Sequence, residues 1–265
     1  MNVFEELAHW PVDDVAAGMV GSSSDTFGDI DRVFELASVT KLLSAYGFLI
    51  ALEEGIFELD TPMWPATVEH LLAHASGVAF AKHEVERAPE DRRIYSSAGF
   101  EILAEGVEKL AEMPFGQYLE EAVFQPLGMT NTVLPAWAGH GAKSTVRDLQ
   151  VFIAELLEPK LIHATTLNDA LSPHFPELSG IVPGYGRQVP CPWGLGFELK
   201  GSKSPHWTGP TMPADIAGHF GQSGTFLWIH PKTNQGCVVL TNRVFGEWAK
   251  PLWSDFNEKL WLTLN

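Results

Sequence analysis

From Val39 to Leu52 almost every position is apolar: Val39, Leu42, Leu43, Ala45, Tyr46, Phe48, Leu49, Ile50, Ala51 and Leu52. A helix that is apolar nearly all round is a buried helix, and Gly55 is a suitable stop for it. Four more helices are predicted downstream. ATVEHLLAHASG ends at Gly77, and SSAGFEILAEGVEKLAEM is capped by Ser96 or Ser97. PFGQYLEEAVFQPLG has Pro114 near its start and Gly128 past its end. STVRDLQVFIAELLE begins at Ser144 and carries Asp148 in its first turns. Residues 2–8 read as a short helix, and DVAAGMVGSSSDTFGDIDRVFEL as short strands with a turn around Gly21–Ser24. From about Trp193 the texture changes. WGLGFEL, GTFLWIHP and QGCVVLTNR read as antiparallel strands with turns such as Pro231–Gly236, and GEWAKPLWSDFNEKLWLTL is a closing amphipathic helix.

Strands at both ends with helices between them predict an α+β fold. Residues 1–37 and about 190–265 form an antiparallel sheet with flanking helices, an all-helical part of about 38–189 is inserted, and 1–265 is a single unit without repeats or linkers. The cleft between the two parts is the natural place for a site, and Ser38 lies where the chain crosses it. Composition agrees with a packed globular protein, since 45% of the 265 residues are hydrophobic and there are nine Trp and 16 Phe. A net charge of −16 disfavours nucleic acid and anionic membranes as partners. No stretch reaches the length of a membrane span, and the start MNVFEELAHW lacks a basic, apolar leader pattern, so a cytoplasmic location is expected. Cys191 and Cys237 are expected to be free buried thiols.

The charge pattern singles out Lys41, which stands near the start of the buried helix three residues after Ser38, on the same face. Ser is a common N-cap and Lys can reach out of an apolar surface, so S-x-x-K alone is a weak signal. The other reading is a serine nucleophile beside an amine base. Further along, Tyr95 precedes a helix in IYSSAGF, and His219 and Gly221 lie on or beside a strand in GHFGQSG.

In this order, Ser38-Val39-Thr40-Lys41, Tyr95-Ser96-Ser97 and His219-Phe220-Gly221, with the linking segments HLLAHASG, PLGMTNT and STVRDLQVFIAELL, resemble the serine β-lactamase-like family over roughly Val33 to Arg243. That family includes class C β-lactamases, D-alanyl-D-alanine carboxypeptidases, D-aminopeptidases and family VIII carboxylesterases. The resemblance implies a β-lactamase/transpeptidase-like fold and a covalent acyl-serine intermediate. It makes Ser38 the nucleophile, Lys41 its base and Tyr95 a proton relay. It places the N–H groups of Ser38 and Gln222 in an oxyanion hole, and Ser97, His219 and Gly221 at the substrate, with His219 binding a carboxylate or polarising the acyl group. Ser97 departs from the Asn usual in Tyr-x-Asn. No cofactor or metal is called for, and the partner is a small ester, amide or β-lactam.

Other features have plainer readings. His70 and His74 lack the Glu of a metalloprotease motif and read as a capped or core pair. KHEVERAPEDRR reads as a solvated loop. The tryptophans are mostly core, with Trp193 and Trp207 as candidates for the cleft. The leading functional expectation is a serine hydrolase of small esters or amides, carboxylesterase-like. The alternatives are a β-lactamase or D-amino-acid peptidase, and a non-catalytic binding protein that keeps the fold. Retention of Ser38, Lys41, Tyr95 and His219 together speaks against the last, because a buried lysine without a role is only a cost.

Overall fold

The computed structural model describes Val3–Leu264. A 3₁₀ turn at Val3–His9 leads to β1 (Val15–Val20) and β2 (Thr26–Phe27). The predicted helix over 2–8 is thus seen from Val3, residue 2 lying outside the described residues. β3 (Phe34–Glu35), α1 (Thr40–Glu53), β4 (Pro62–Met63), β5 (Ala66–Thr67) and α2 (Val68–Leu72) come next. α3 (Ser97–Ala111) is followed by α4 (Phe115–Leu119), a π-helical turn at Glu120–Phe124 and α5 (Gln125–Leu127). After β6 (Lys143–Ser144), α6 (Val146–Leu157) and α7 (Ala164–Ala170) comes the hairpin of β7 (Gly180–Val182) and β8 (Gly186–Gln188). β9 (Glu198–Leu199), β10 (Ala217–Gly221), β11 (Thr225–His230), β12 (Gln235–Thr241) and α8 (Ala249–Leu264) complete the chain.

The main sheet has six strands in the order β2-β1-β12-β11-β10-β9, antiparallel at every step. β1 pairs with the last strand, Val15 opposite Thr241 through Val20 opposite Gly236, so the two ends of the chain close one sheet. Both faces of the sheet are covered, and each strand divides its residues by alternation. Ala16, Leu227, Ile229, Val238 and Leu240 face the core built around α1 and α6. Ala17, Met19, Phe226, Trp228, Cys237 and Val239 face α8 and the N-terminal turn. Gly18 marks the close approach of α6: a Cβ there would stand 2.6 Å from Gln150 and 2.7 Å from Val146.

Helix ends follow local chemistry. Ser96 Oγ accepts the Gly99 N–H at the start of α3, Thr67 caps α2, and Gly128 ends α5 at φ 70°. Five expectations need correction. The inserted part of about 38–189 is not all-helical: β4 pairs with β5, β6 pairs with β3, and β7 pairs with β8 across a tight turn that Gly184 and Gly186 allow at φ 78° and 81°. α2 stops at Leu72 rather than running to Gly77, because His74 takes a left-handed φ of 56° that no helix continues through. α6 is capped by Thr145, not Ser144, whose hydroxyl is engaged with Thr132. WGLGFEL yields only the two-residue β9, since its first residues bond locally, Gly194 N–H to Phe197 O. In KHEVERAPEDRR the loop is exposed as expected as far as Asp91, but Arg92 is half-buried and Arg93 is buried. Cys191 and Cys237 are free and buried. Among the described residues, no helix is long and apolar enough to cross a membrane.

Candidate active site

Ser38 sits in a single 3₁₀ turn, Ala37–Val39, immediately before α1. Its side chain makes no helix-capping bond, so the N-cap reading of this serine does not hold. Ala37 just before it is held at φ 45°, a costly conformation for a residue with a Cβ. Ser223 and Thr225 hydroxyls tie the carbonyls of Glu35 and Leu36 to the turn between β10 and β11. Gly221 lets β10 approach this turn: a Cβ there would stand 2.4 Å from the Leu36 carbonyl and 3.2 Å from the Ala37 Cβ.

Lys41 lies in the first turn of α1 and is fully buried, at 0% exposure. It does not reach solvent. Its Nζ donates to Ser97 Oγ at 2.9 Å and to the Gly139 carbonyl at 2.7 Å. Nζ also stands 4.7 Å from the Tyr95 ring centre and 5.4 Å from that of Phe100. Burial lowers its pKa from 10.5 to about 7, with the Glu101 carboxylate opposing part of that fall. Ser97 therefore supplies the lysine contact that the missing Asn raised in doubt.

Tyr95 is partly exposed along its ring, but its hydroxyl is buried. Burial pushes the phenol pKa up, and the facing Ser38 side chain works against that rise. The phenol is thus a neutral O–H at ordinary pH. His219 on β10 is 2% exposed, its ring 5.5 Å from Tyr95 and 5.7 Å from Trp193. Its Nδ1 lies 2.6 Å from the Phe220 carbonyl, an acceptor, so the ring proton belongs on Nδ1 and Nε2 keeps a lone pair. Burial first, and then the Lys41 charge, lower the His219 pKa to about 4, with Glu198 opposing. Among the described residues, the backbone N–H groups of Ser38 and Gln222 donate to no acceptor. The structure thus brings Ser38, Lys41, Tyr95, Ser97, His219 and Gly221 to one place, with Gln222 directly after β10.

Two supporting residues escaped the sequence reading. Glu101 accepts the N–H groups of Ala138 and Gly139, both at 2.9 Å, and so aims the Gly139 carbonyl at Lys41. Its only signal was its place one turn after Ser97 on α3. Arg93 donates to the carbonyls of Ala73, His174, Phe175 and Cys191 and anchors the segment that carries Tyr95. As one of three arginines in a charged run, it gave no sign of burial. Trp193 stands at the site, against His74, Tyr95 and His219, whereas Trp207 belongs to the core on the far side of the sheet. His74 is buried, its Nδ1 accepting the Ser96 N–H, while His70 bonds Thr67 and Glu90.

A family profile described as Beta-lactamase matches residues 7–256, nearly the whole chain. The chain belongs to the β-lactamase family of serine hydrolases. It is 47% identical to a crystallised β-lactamase of Mycobacterium bovis, each chain covered over 99% of its length, with a TM-score of 0.97. It also resembles penicillin-binding protein 4* of Bacillus subtilis, 26% identical over 38% of this chain and 30% of that protein. The D-alanyl-D-alanine-carboxypeptidase/endopeptidase AmpH of Escherichia coli is 24% identical over 39% of this chain and 37% of its own. These curated relatives are thus matched over about a third of their length.

Proposed function

We propose that the protein hydrolyses small esters or amides through an acyl-enzyme on Ser38, in the cleft between the sheet part (1–37 and about 190–265) and the helical part (about 38–189). The observation that carries this reading is the state of Lys41. With a pKa of about 7, a large share of it is a neutral amine at neutral pH. A neutral amine has two N–H donors and one lone pair. Ser97 Oγ and the Gly139 carbonyl take the two donors. The lone pair remains for the proton of Ser38.

The chemistry follows in balanced steps. Ser38 Oγ bonds to the acyl carbon as its proton passes to Lys41 Nζ, and the N–H groups of Ser38 and Gln222 hold the oxyanion. The bond to the leaving group breaks as that group takes a proton from the Tyr95 hydroxyl, which Lys41 replenishes. Water then gives a proton to the neutral amine through Tyr95 and attacks the acyl carbon, and the bond to Ser38 Oγ breaks as Lys41 Nζ returns that proton to it, restoring the hydroxyl and the neutral amine. A neutral His219 lines the cleft without bringing a positive charge.

Short-chain esters are favoured over β-lactams for two reasons. Ser97 Oγ is occupied by Lys41, which reduces what it offers a substrate amide. A His219 held near pKa 4 brings no positive charge at its own place on β10, where the resemblance puts a substrate carboxylate. A second reading, β-lactam hydrolysis, is favoured by the description of the 47% identical Mycobacterium bovis protein as a β-lactamase. Incubation with a fluorophosphonate should give one adduct by intact mass, on Ser38; equal labelling of Ser38→Ala would sink the acyl-serine reading. kcat/KM for p-nitrophenyl butyrate beside nitrocefin decides the substrate, and a higher nitrocefin value puts the β-lactam first.

A further inference from the structure

The chain has seven arginines, and five are engaged. Arg32 pairs with Asp14, Arg87 with Asp91 and Arg147 with Asp31. Arg93 is spent on buried carbonyls, and Arg243 on the Pro11 carbonyl and the Trp248 ring. Among the described residues, the side chains of Arg92 and Arg187 alone among the arginines make no ion pair, hydrogen bond or ring contact. Both line the same cavity, of about 440 Å³, and Tyr95 lines it with them.

Backbone ties bring the two together. Arg93 N–H donates to the Ser179 carbonyl at 2.8 Å, and Arg93 bridges to Gly180. Gly180 opens β7, where Ile181 pairs with Arg187 of β8. Arg93 fastens this platform to the body of the protein, and a Cβ on Gly180 would meet the Arg93 Cβ at 3.0 Å and Cys191 Sγ at 3.1 Å. In a chain of net charge −16, two unpaired guanidiniums beside a proposed catalytic phenol reverse the local field. Among the described residues, Glu86 on the same wall is the one carboxylate lining the cavity, and it forms no ion pair with either arginine.

The other opening beside the site has the opposite character. A groove of about 1110 Å³ runs past Ser97 over Phe80, Phe115 and Trp137, and its wall carries Glu101, Glu105, Glu108 and Glu120. A carboxylate is repelled there and attracted on the Tyr95 side.

We propose that Arg92 and Arg187 form a carboxylate-binding subsite for the arm of the substrate that leaves over Tyr95, so that the preferred leaving group is an acidic alcohol or amine. Two planar guanidiniums suit a carboxylate by paired, charge-assisted hydrogen bonds. The inference rests on the proposed reaction for the direction of departure, since Tyr95 is the group that hands the leaving side its proton.

The test uses a matched pair of esters, 3-(butanoyloxy)benzoate and 3-(butanoyloxy)benzamide, which differ in the charge of the leaving arm. The wild-type protein should prefer the acid, and R92Q/R187Q should lower the ratio of the two kcat/KM values at least about tenfold, the scale of one lost charge-assisted pair. An unchanged ratio overturns the subsite. If the wild-type protein cleaves neither ester, the reaction reading fails, and the subsite is judged by calorimetry on Ser38→Ala. There 3-hydroxybenzoate should bind more tightly than 3-hydroxybenzamide, by a margin that R92Q/R187Q removes. Binding indifferent to the two arginines overturns the subsite, and inorganic phosphate binding as tightly as 3-hydroxybenzoate overturns its assignment to a carboxylate.

Discussion

Replacing Lys41 with Met should make the protein inactive and, at neutral pH, more stable. Burial moves the Lys41 pKa from 10.5 to about 7. A shift of that size means that the folded state at pH 7 bears a penalty of about 4 kcal/mol relative to a group whose ionisation folding leaves alone. Between the two pKa values the unfolded chain carries the extra proton, so wild-type stability climbs with pH by roughly 1.4 kcal/mol per unit from 7 towards 10.5. Lys41→Met removes the penalty and the slope. It also removes the bonds to Ser97 and Gly139, about 1 kcal/mol each, and strands the Gly139 carbonyl for a further kcal/mol or so. The variant should therefore be about 1 kcal/mol more stable than wild type at pH 7, and no more stable at pH 9. Urea unfolding of both proteins at pH 7, 8 and 9 measures the difference, and other titrating groups cancel in it. A difference that stays flat from pH 7 to 9, or a less stable variant at pH 7, would show that Lys41 is a cation in the folded protein and refute the base assigned to it.

Three further outcomes follow from named contacts. Tyr95→Phe should lower kcat about a hundredfold, the usual worth of general acid–base help, and wild-type turnover with an unchanged pH profile would make Tyr95 merely structural. Glu101→Gln removes the carboxylate that favours the Lys41 cation, so the Lys41 pKa falls further and the rising acid limb of the kcat/KM profile should move to lower pH; a move to higher pH contradicts the electrostatics. Lys203→Met leaves the buried Glu198 without its ammonium partner at 3.3 Å, with only His206 and Trp207 beside it, and should cost about 3–5 kcal/mol in urea unfolding. A neutral result there would mean that Glu198 is protonated in the folded protein.

Most of the helices were legible because each carries its own signals. α1 is apolar on every side, α3 has its Ser96 cap, and α5 ends on Gly128, each signal lying in or next to the helix it marks. α2 was misjudged because its end is set by His74, whose left-handed backbone is held by distant partners, the Ser96 N–H and the rings of Tyr95, Phe100 and Trp193. β9 was overextended for a similar reason: Gly196 N–H donates to Leu72 O, and its φ of 86° fits it against Ala45. Among the candidate site residues, Ser38 and Lys41 could be paired from spacing alone. Tyr95, Ser97, His219 and Gln222 were reached only through the resemblance, since nothing in their spacing relates them to Ser38. Glu101 acts through backbone amides and Gly139 through a carbonyl, and neither kind of contact leaves a mark in a side-chain pattern.

The sequence by itself determined that a lysine would stand inside an apolar helix one turn after a serine, and that strands would lie at both ends of the chain. Those are properties of neighbours along the chain, where periodicity and caps operate. Only the tertiary structure decided that β1 would pair with β12, that Arg93 would be buried while Arg92 stayed free, and that His219 would be neutral with its proton on Nδ1. It also decided that Lys41 would be half-ready to accept a proton at pH 7. Charge state depends on how much water is removed and which groups replace it, and those groups come from segments as far apart in the chain as Lys41, Ser97 and Gly139.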